Sequence, residues 1–225
     1  MAPETKALIV LCLLAGVALL VPWMAWWRLR RLERKYGSTL LVRGISGAQA
    51  ARIILLRGEI PQVGVDETTV ALNDYYSAFE PAIKLSPGVY NGKRLFDVAR
   101  AARLAGHALQ HRDGKLGNLA SWDSFMILWG NAWPILLLLS LTSKGRSLVY
   151  ILIVFSVLAG VLTLAHLAKH QLVTDAARRG RRELNEAHLL EGHPPKEIEA
   201  AFLCSQLEHL ALPYSRTWWR LLFSR

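Results

Sequence analysis

The chain has 225 residues, 52% of them hydrophobic and 20% charged, with 16 Gly and 9 Pro. That apolar fraction excludes a disordered chain, and the Gly and Pro counts exclude a collagen-like one; the two cysteines, Cys12 and Cys204, are too few for a disulfide framework. Lys and Arg number 27 against 17 Asp and Glu, a formal charge of +10 that nucleic acid, an anionic membrane face or membrane topology would each explain.

The hydrophobic residues are clustered. Ala7 to Trp27 run apolar without a charge, long enough at about 1.5 Å per residue to cross a hydrocarbon core of roughly 30 Å. No small-x-small cleavage site follows, and Trp23, Trp26 and Trp27 close the run as an interfacial belt, so 7–27 reads as an uncleaved anchor. A second apolar stretch from Phe125 to Thr142 and a third from Leu148 to Ala168 are separated by five polar or small residues, predicting a transmembrane hairpin over 125–168. Asn131 and Pro134 within the second span need a helix neighbour in lipid. Arg28, Arg30, Arg31, Arg34 and Lys35 follow the first span, and Lys169, Arg178, Arg179, Arg181 and Arg182 follow the third. Both loops predict an outside N-terminus, with 28–124 and 169–225 cytoplasmic, in a multi-pass protein. The same rule explains most of the net charge and disfavours nucleic acid as a partner; the lipid bilayer is the expected one.

Within 28–124, Ser46-Gly47-Ala48-Gln49 before an apolar run predicts a capped helix. Val63–Val65 and Thr68–Leu72 read as short strands with a turn at Asp66-Glu67, and Ile83–Ser86 as a third. From Lys93 to Arg112 apolar residues recur at helical spacing. Residues 178–210 read as helix broken by Gly192-His193-Pro194-Pro195. Tyr214 to Arg225 mixes Trp218, Trp219 and Phe223 with arginines, as an interfacial helix does.

The stretch Ala101-Ala102-Arg103-Leu104-Ala105-Gly106-His107-Ala108-Leu109-Gln110-His111 resembles the metal helix of the neutral zinc metallopeptidases of bacterial membranes (YugP-like), Ala-Ala-His-Glu-x-Gly-His-Ala-x-Gln. Leu72 to Tyr76 and Lys84 to Gly92 resemble the segment leading into that helix, and Ser46-Gly47 opens a matching earlier one. Leu172-Val173-Thr174-Asp175-Ala176-Ala177-Arg178-Arg179 is similar to the family's Val-Glu-Phe-Asp-Ala-Ser-Arg-Arg. The resemblance implies a mainly α-helical membrane protein of the bacterial inner (plasma) membrane: three transmembrane helices plus a small α+β cytoplasmic metallopeptidase-like domain.

The departures bear on chemistry. In H-E-x-x-H two His one turn apart bind Zn²⁺ while the Glu activates water. Here the first ligand position holds Arg103, the base position Leu104 and the further acidic position Val173, leaving His107, with Asp175 nearby. A guanidinium has no lone pair to give a metal, and losing a general base costs roughly 10²–10⁴-fold in rate. No catalytic residue is therefore assigned and no cofactor is expected, with zinc as the alternative. His107 and His111 share the i, i+4 spacing, as do His166 and His170, so a relocated metal set of His107, His111, His170 or Asp175 stays open against structural roles for each. A second expectation is an Arg103–Asp175 ion pair that replaces the metal tie between the two segments. Three functions follow from these readings: a non-catalytic pseudopeptidase acting as a binding or scaffolding subunit, beside a membrane-protein partner or an active paralogue; an active zinc metallopeptidase; or a purely structural membrane subunit.

Overall fold

A computed structural model describes residues 3–68, 74–117 and 146–211, with helical positions 122, 125, 126, 128, 129 and 132 between them. Helix α1 (Pro3–Tyr36) opens the chain, with Pro22 in its interior. Helix α2 (Gly47–Arg57) starts at the expected capping box: the Gln49 amide donates to Ser46 Oγ at 3.3 Å and the Ser46 amide to Gln49 Oε1 at 2.8 Å.

Three short strands follow, β1 (Gly64–Glu67), β2 (Tyr75–Ser77) and β3 (Ala82–Leu85), in sheet order β1-β3-β2. β1 runs parallel to β3 and β2 antiparallel to it. Asp66 and Glu67, expected to turn, lie in β1 instead. Asp66 stands directly opposite Lys84, whose Nζ donates to its carboxylate at 2.7 Å, and that cross-strand pair suits a strand. The second strand in chain order lies at Tyr75–Ser77; the strand expected at 68–72 falls, past Thr68, on 69–73, which lie outside the described residues.

A single turn, α3 (Pro87–Tyr90), leads into α4 (Leu95–Arg112), which is buried from Leu95 to Gln110 except at Arg100. A helix enclosed on nearly every side is the centre of its fold. The long α5 (Arg146–Glu186) and then α6 (Pro195–Leu210) complete the described chain, and the Gly-Pro break between them stands where its composition predicts. Helix α4 packs on α2, α5 and α6, while α1 packs on α5 and α6.

The backbones of α4 and α5 meet almost directly. A Cβ on Gly106 would fall on the Ala176 carbonyl, and one on Gly180 on the Ala102 carbonyl. Gln110 in turn reaches Leu172. The pairing of 102 with 180, 106 with 176 and 110 with 172 makes the two helices antiparallel.

The three-span expectation is corrected. Among the described residues one helix is long and apolar enough to cross a membrane, Ile153–Glu186 within α5. Its outer face carries Val154, Val157, Val161 and Leu164, all exposed. Apolar length alone does not distinguish a lipid-facing run from one spent on packing. In α1, Ala25 and Leu29 are buried in the core, with Trp26 and Leu32 packed against it. Most of 125–142, including Asn131 and Pro134, and all of 214–225 lie outside the described residues. Neither the hairpin nor the outside N-terminus therefore has support.

Candidate functional site

The sequence-predicted site residues fall on two helices, Arg103, Leu104, His107 and His111 on α4 and His170, Val173 and Asp175 on α5. Around them the described structure separates into two polar clusters. One is a continuous hydrogen-bond chain. His107 Nδ1 lies 2.9 Å from Gln110 Oε1, and Gln110 Nε2 donates to the Leu172 carbonyl at 2.9 Å and to Asp175 Oδ2 at 2.8 Å. Those two acceptors fix the amide orientation, so Oε1 faces the imidazole and His107 Nδ1 carries the proton. This is the tautomer that directs Nε2 to a ligand in metal-binding histidines. Asp175 also accepts from Arg179 Nε at 2.8 Å, and Arg179 Nη1 reaches Asp113 at 2.6 Å. Hydrogen bonds from Arg179 and Arg112 hold the Asp113 carboxyl below its ordinary value.

The second cluster is ionic and lies toward the N-terminal half of α4. Arg100 pairs with Glu33 of α1 at 2.8 Å and with Glu208 of α6. Burial alone would lower the Arg100 pKa, but the carboxylates of Glu208 and Glu33 outweigh it and raise the pKa further. Glu208 is pushed above the usual carboxylate range by burial, which Arg100 and Arg103 only partly offset. The Arg103 Nη2 atom stands 3.7 Å from Glu208, and its Nε is buried without a hydrogen-bond partner.

The expected Arg103–Asp175 pair is not formed: Arg103 turns to Glu208, and Asp175 is held by Gln110 and Arg179. On α5, Arg179 lies one turn from Asp175, a shorter route to a partner than crossing between helices. His111 leaves the cluster, its Nδ1 2.7 Å from the Tyr76 hydroxyl of β2. His170 lies instead beside His209 of α6, ring centroids 6.0 Å apart, and the His166 ring lies tilted against His209 at 4.2 Å. His166 accepts from Trp122 Nε1 at 3.2 Å and bonds the His209 carbonyl at 2.8 Å. Val173 is fully buried in the core.

Glu33, Arg100 and Glu208 were not singled out by the sequence. Arg100 carried a signal, lying one turn before Arg103 on the same helix, whereas Glu208 and Glu33 are distant in sequence and carried none. Cys204 is buried, and burial, with help from Glu33 and Glu208, pushes its thiol up to about 12.

Among the described residues no group of three or more His, Cys, Asp and Glu stands together as a metal site would require. Arg103, Leu104 and Val173 offer no lone pair, so with His107 they do not fit a zinc ion.

The family model described as "Putative neutral zinc metallopeptidase" matches residues 11–208. The chain is also 30% identical over 96 residues to the "Putative membrane protease YugP" of Bacillus subtilis (strain 168), a match spanning 43% of this chain and 43% of that protein. No solved structure matches it. The family points to zinc, which corrects the expectation that no cofactor is involved. The relative is called a membrane protease and α5 carries an apolar helix long enough to span, which together support membrane association. With the family match running through most of its length, the chain belongs to the neutral zinc metallopeptidases.

Proposed function

We propose that the chain is a member of this family that has lost peptide hydrolysis and acts as a binding or scaffolding subunit of a membrane complex. The observation that carries this reading is the Arg103 guanidinium, one helical turn from His107 and engaged by the Glu208 carboxylate. A cation at this place repels a metal dication, and the adjacent Leu104 cannot take a proton from water. The apolar outer face of α5 supports a partner that is itself in the membrane, another membrane protein or an active relative of this chain.

The test is peptide hydrolysis by the full chain in mild detergent with zinc added. The expected result is turnover no higher than that of His107→Ala, together with recovery of a membrane partner in a pull-down. Zinc-dependent turnover that His107→Ala abolishes would overturn the reading. A partner still recovered when Arg103 and His107 are replaced would favour the purely structural subunit.

One observation favours a second reading, an active zinc metallopeptidase with relocated ligands. His107 keeps its Nδ1 proton on Gln110, as a ligating histidine does. Near-stoichiometric zinc in the purified chain, lost in His107→Ala, is the result this reading requires.

A further inference from the structure

Helix α4 presents two guanidiniums, Arg100 and Arg103, to the carboxylate of Glu208. Arg100 has the closer contact with Glu208 and a second carboxylate in Glu33. Arg103 has neither advantage. Its Nη2 is 3.7 Å from Glu208, too long for a hydrogen bond, and its Nε is buried without a partner. A guanidinium has five N–H donors, and burying them unfilled is costly. Nε is the Arg103 nitrogen so placed, and with the residue 8% exposed overall bulk water does little to fill it. On the facing helix α5, His170 Nδ1 is also buried without a hydrogen-bond partner, and His170 lies within electrostatic reach of Arg103. Two unfilled nitrogens thus stand on facing helices, one of them a strong cationic donor.

We infer that Arg103 is a receptor for a carboxylate ligand, with Glu208 as its built-in competitor. This rests on the reading that the chain binds rather than cleaves. The planar guanidinium fork matches two carboxylate oxygens, a geometry an ammonium cannot offer. Charge favours a monoanion: with Glu33 and Glu208 already present, a phosphate dianion would meet about twice the repulsion that a single carboxylate does. The edge of the pair reaches the surface, the Arg103 side chain being 10% exposed and that of Glu208 22%. An incoming carboxylate takes the Arg103 fork while Glu208 remains with Arg100. The same chemistry is carried by the free C-terminus of a peptide and by a small organic acid.

The test uses the full chain in mild detergent, titrated by calorimetry with tetra-alanine bearing a free C-terminus and with its C-terminal amide. The free acid is expected to bind and the amide roughly tenfold more weakly or not at all. Arg103→Gln is expected to abolish binding. Arg103→Lys, which keeps the charge and loses the fork, is expected to weaken it. Glu208→Gln, which removes the competitor, is expected to tighten it. Competition by acetate assigns a small acid as the source, and failure of acetate to compete assigns the peptide terminus; both support the site. Equal affinity for acid and amide, no binding of either, parent-like binding by an Arg103→Gln variant that melts like the parent, or no tightening in Glu208→Gln overturns it. Mass analysis of the peptide separates the two proposals. Cleavage overturns the non-catalytic reading, whereas intact peptide without binding overturns the carboxylate site alone.

Discussion

The two halves of α4 solve the problem of buried polarity differently. Toward its C-terminal end, His107, Gln110, Asp175, Arg179 and Asp113 form one chain of hydrogen bonds between 2.6 and 2.9 Å. Toward the other end, Arg100, Arg103, Glu33 and Glu208 balance charge, yet Arg103 Nε is left without a partner. A fully hydrogen-bonded network rigidifies, while an ion cluster with unfilled donors stays open to exchange. The C-terminal end of the helix is held by hydrogen bonds and the other end by charge.

The comparison breaks most severely if the helix contact beneath both clusters is removed. Gly106→Leu drives a side chain into the Ala176 backbone and is expected to cost about 3 kcal/mol or more, read by denaturant or thermal unfolding in detergent. Arg100→Met leaves Glu33 and Glu208 without their shared cation. About 3 kcal/mol is expected, with the hydrogen-bonded end intact by amide exchange. Gln110→Ala opens the other cluster and strands His107 Nδ1 and the Leu172 carbonyl; about 1–3 kcal/mol is expected in the same unfolding assay.

Stability against pH sharpens the contrast further. Glu208 has its folded pKa raised, so its contribution is full below the ordinary carboxyl value and is lost as pH rises through the folded value. Asp113 has its folded pKa lowered, so its contribution is full above the ordinary value and is lost as pH falls through the folded one. Melting temperature against pH should therefore lose its upper slope in Glu208→Gln and its acid slope in Asp113→Asn. A single slope change produced by both variants would show that the clusters are not independent. The smallest effect belongs to Lys84→Ala, whose pair with Asp66 is solvent-exposed and whose melting temperature should match the parent's.

Local signals were the legible ones. The Ser46–Gln49 capping box, the apolar spacing of 93–112 and the Gly-Pro break at 192–195 each act within one or two turns, and each marks a real element. Asp66-Glu67 misled because turn-forming residues also sit in strands when a cross-strand partner such as Lys84 is present. The apolar runs of α1 and α5 were legible as helices, but among the described residues only that of α5 is long and apolar enough to span, because hydropathy does not say which face another helix covers. His107 was found from the family resemblance of its helix, whereas the partner of Arg103 was not found at all. Glu208 comes from a helix far along the chain, and nothing local distinguishes it from a solvated glutamate.

Helix α5 runs without interruption for 41 residues, about 60 Å, and its two ends meet different surroundings. One half carries the exposed apolar stripe and the other is pressed against α4 through Gly106 and Gly180. It is mechanically a lever with no joint. A tilt of about 5° at the apolar end moves the far end by on the order of 5 Å, so the half that packs on α4 cannot stay in register with it unless the apolar half stays in place as well.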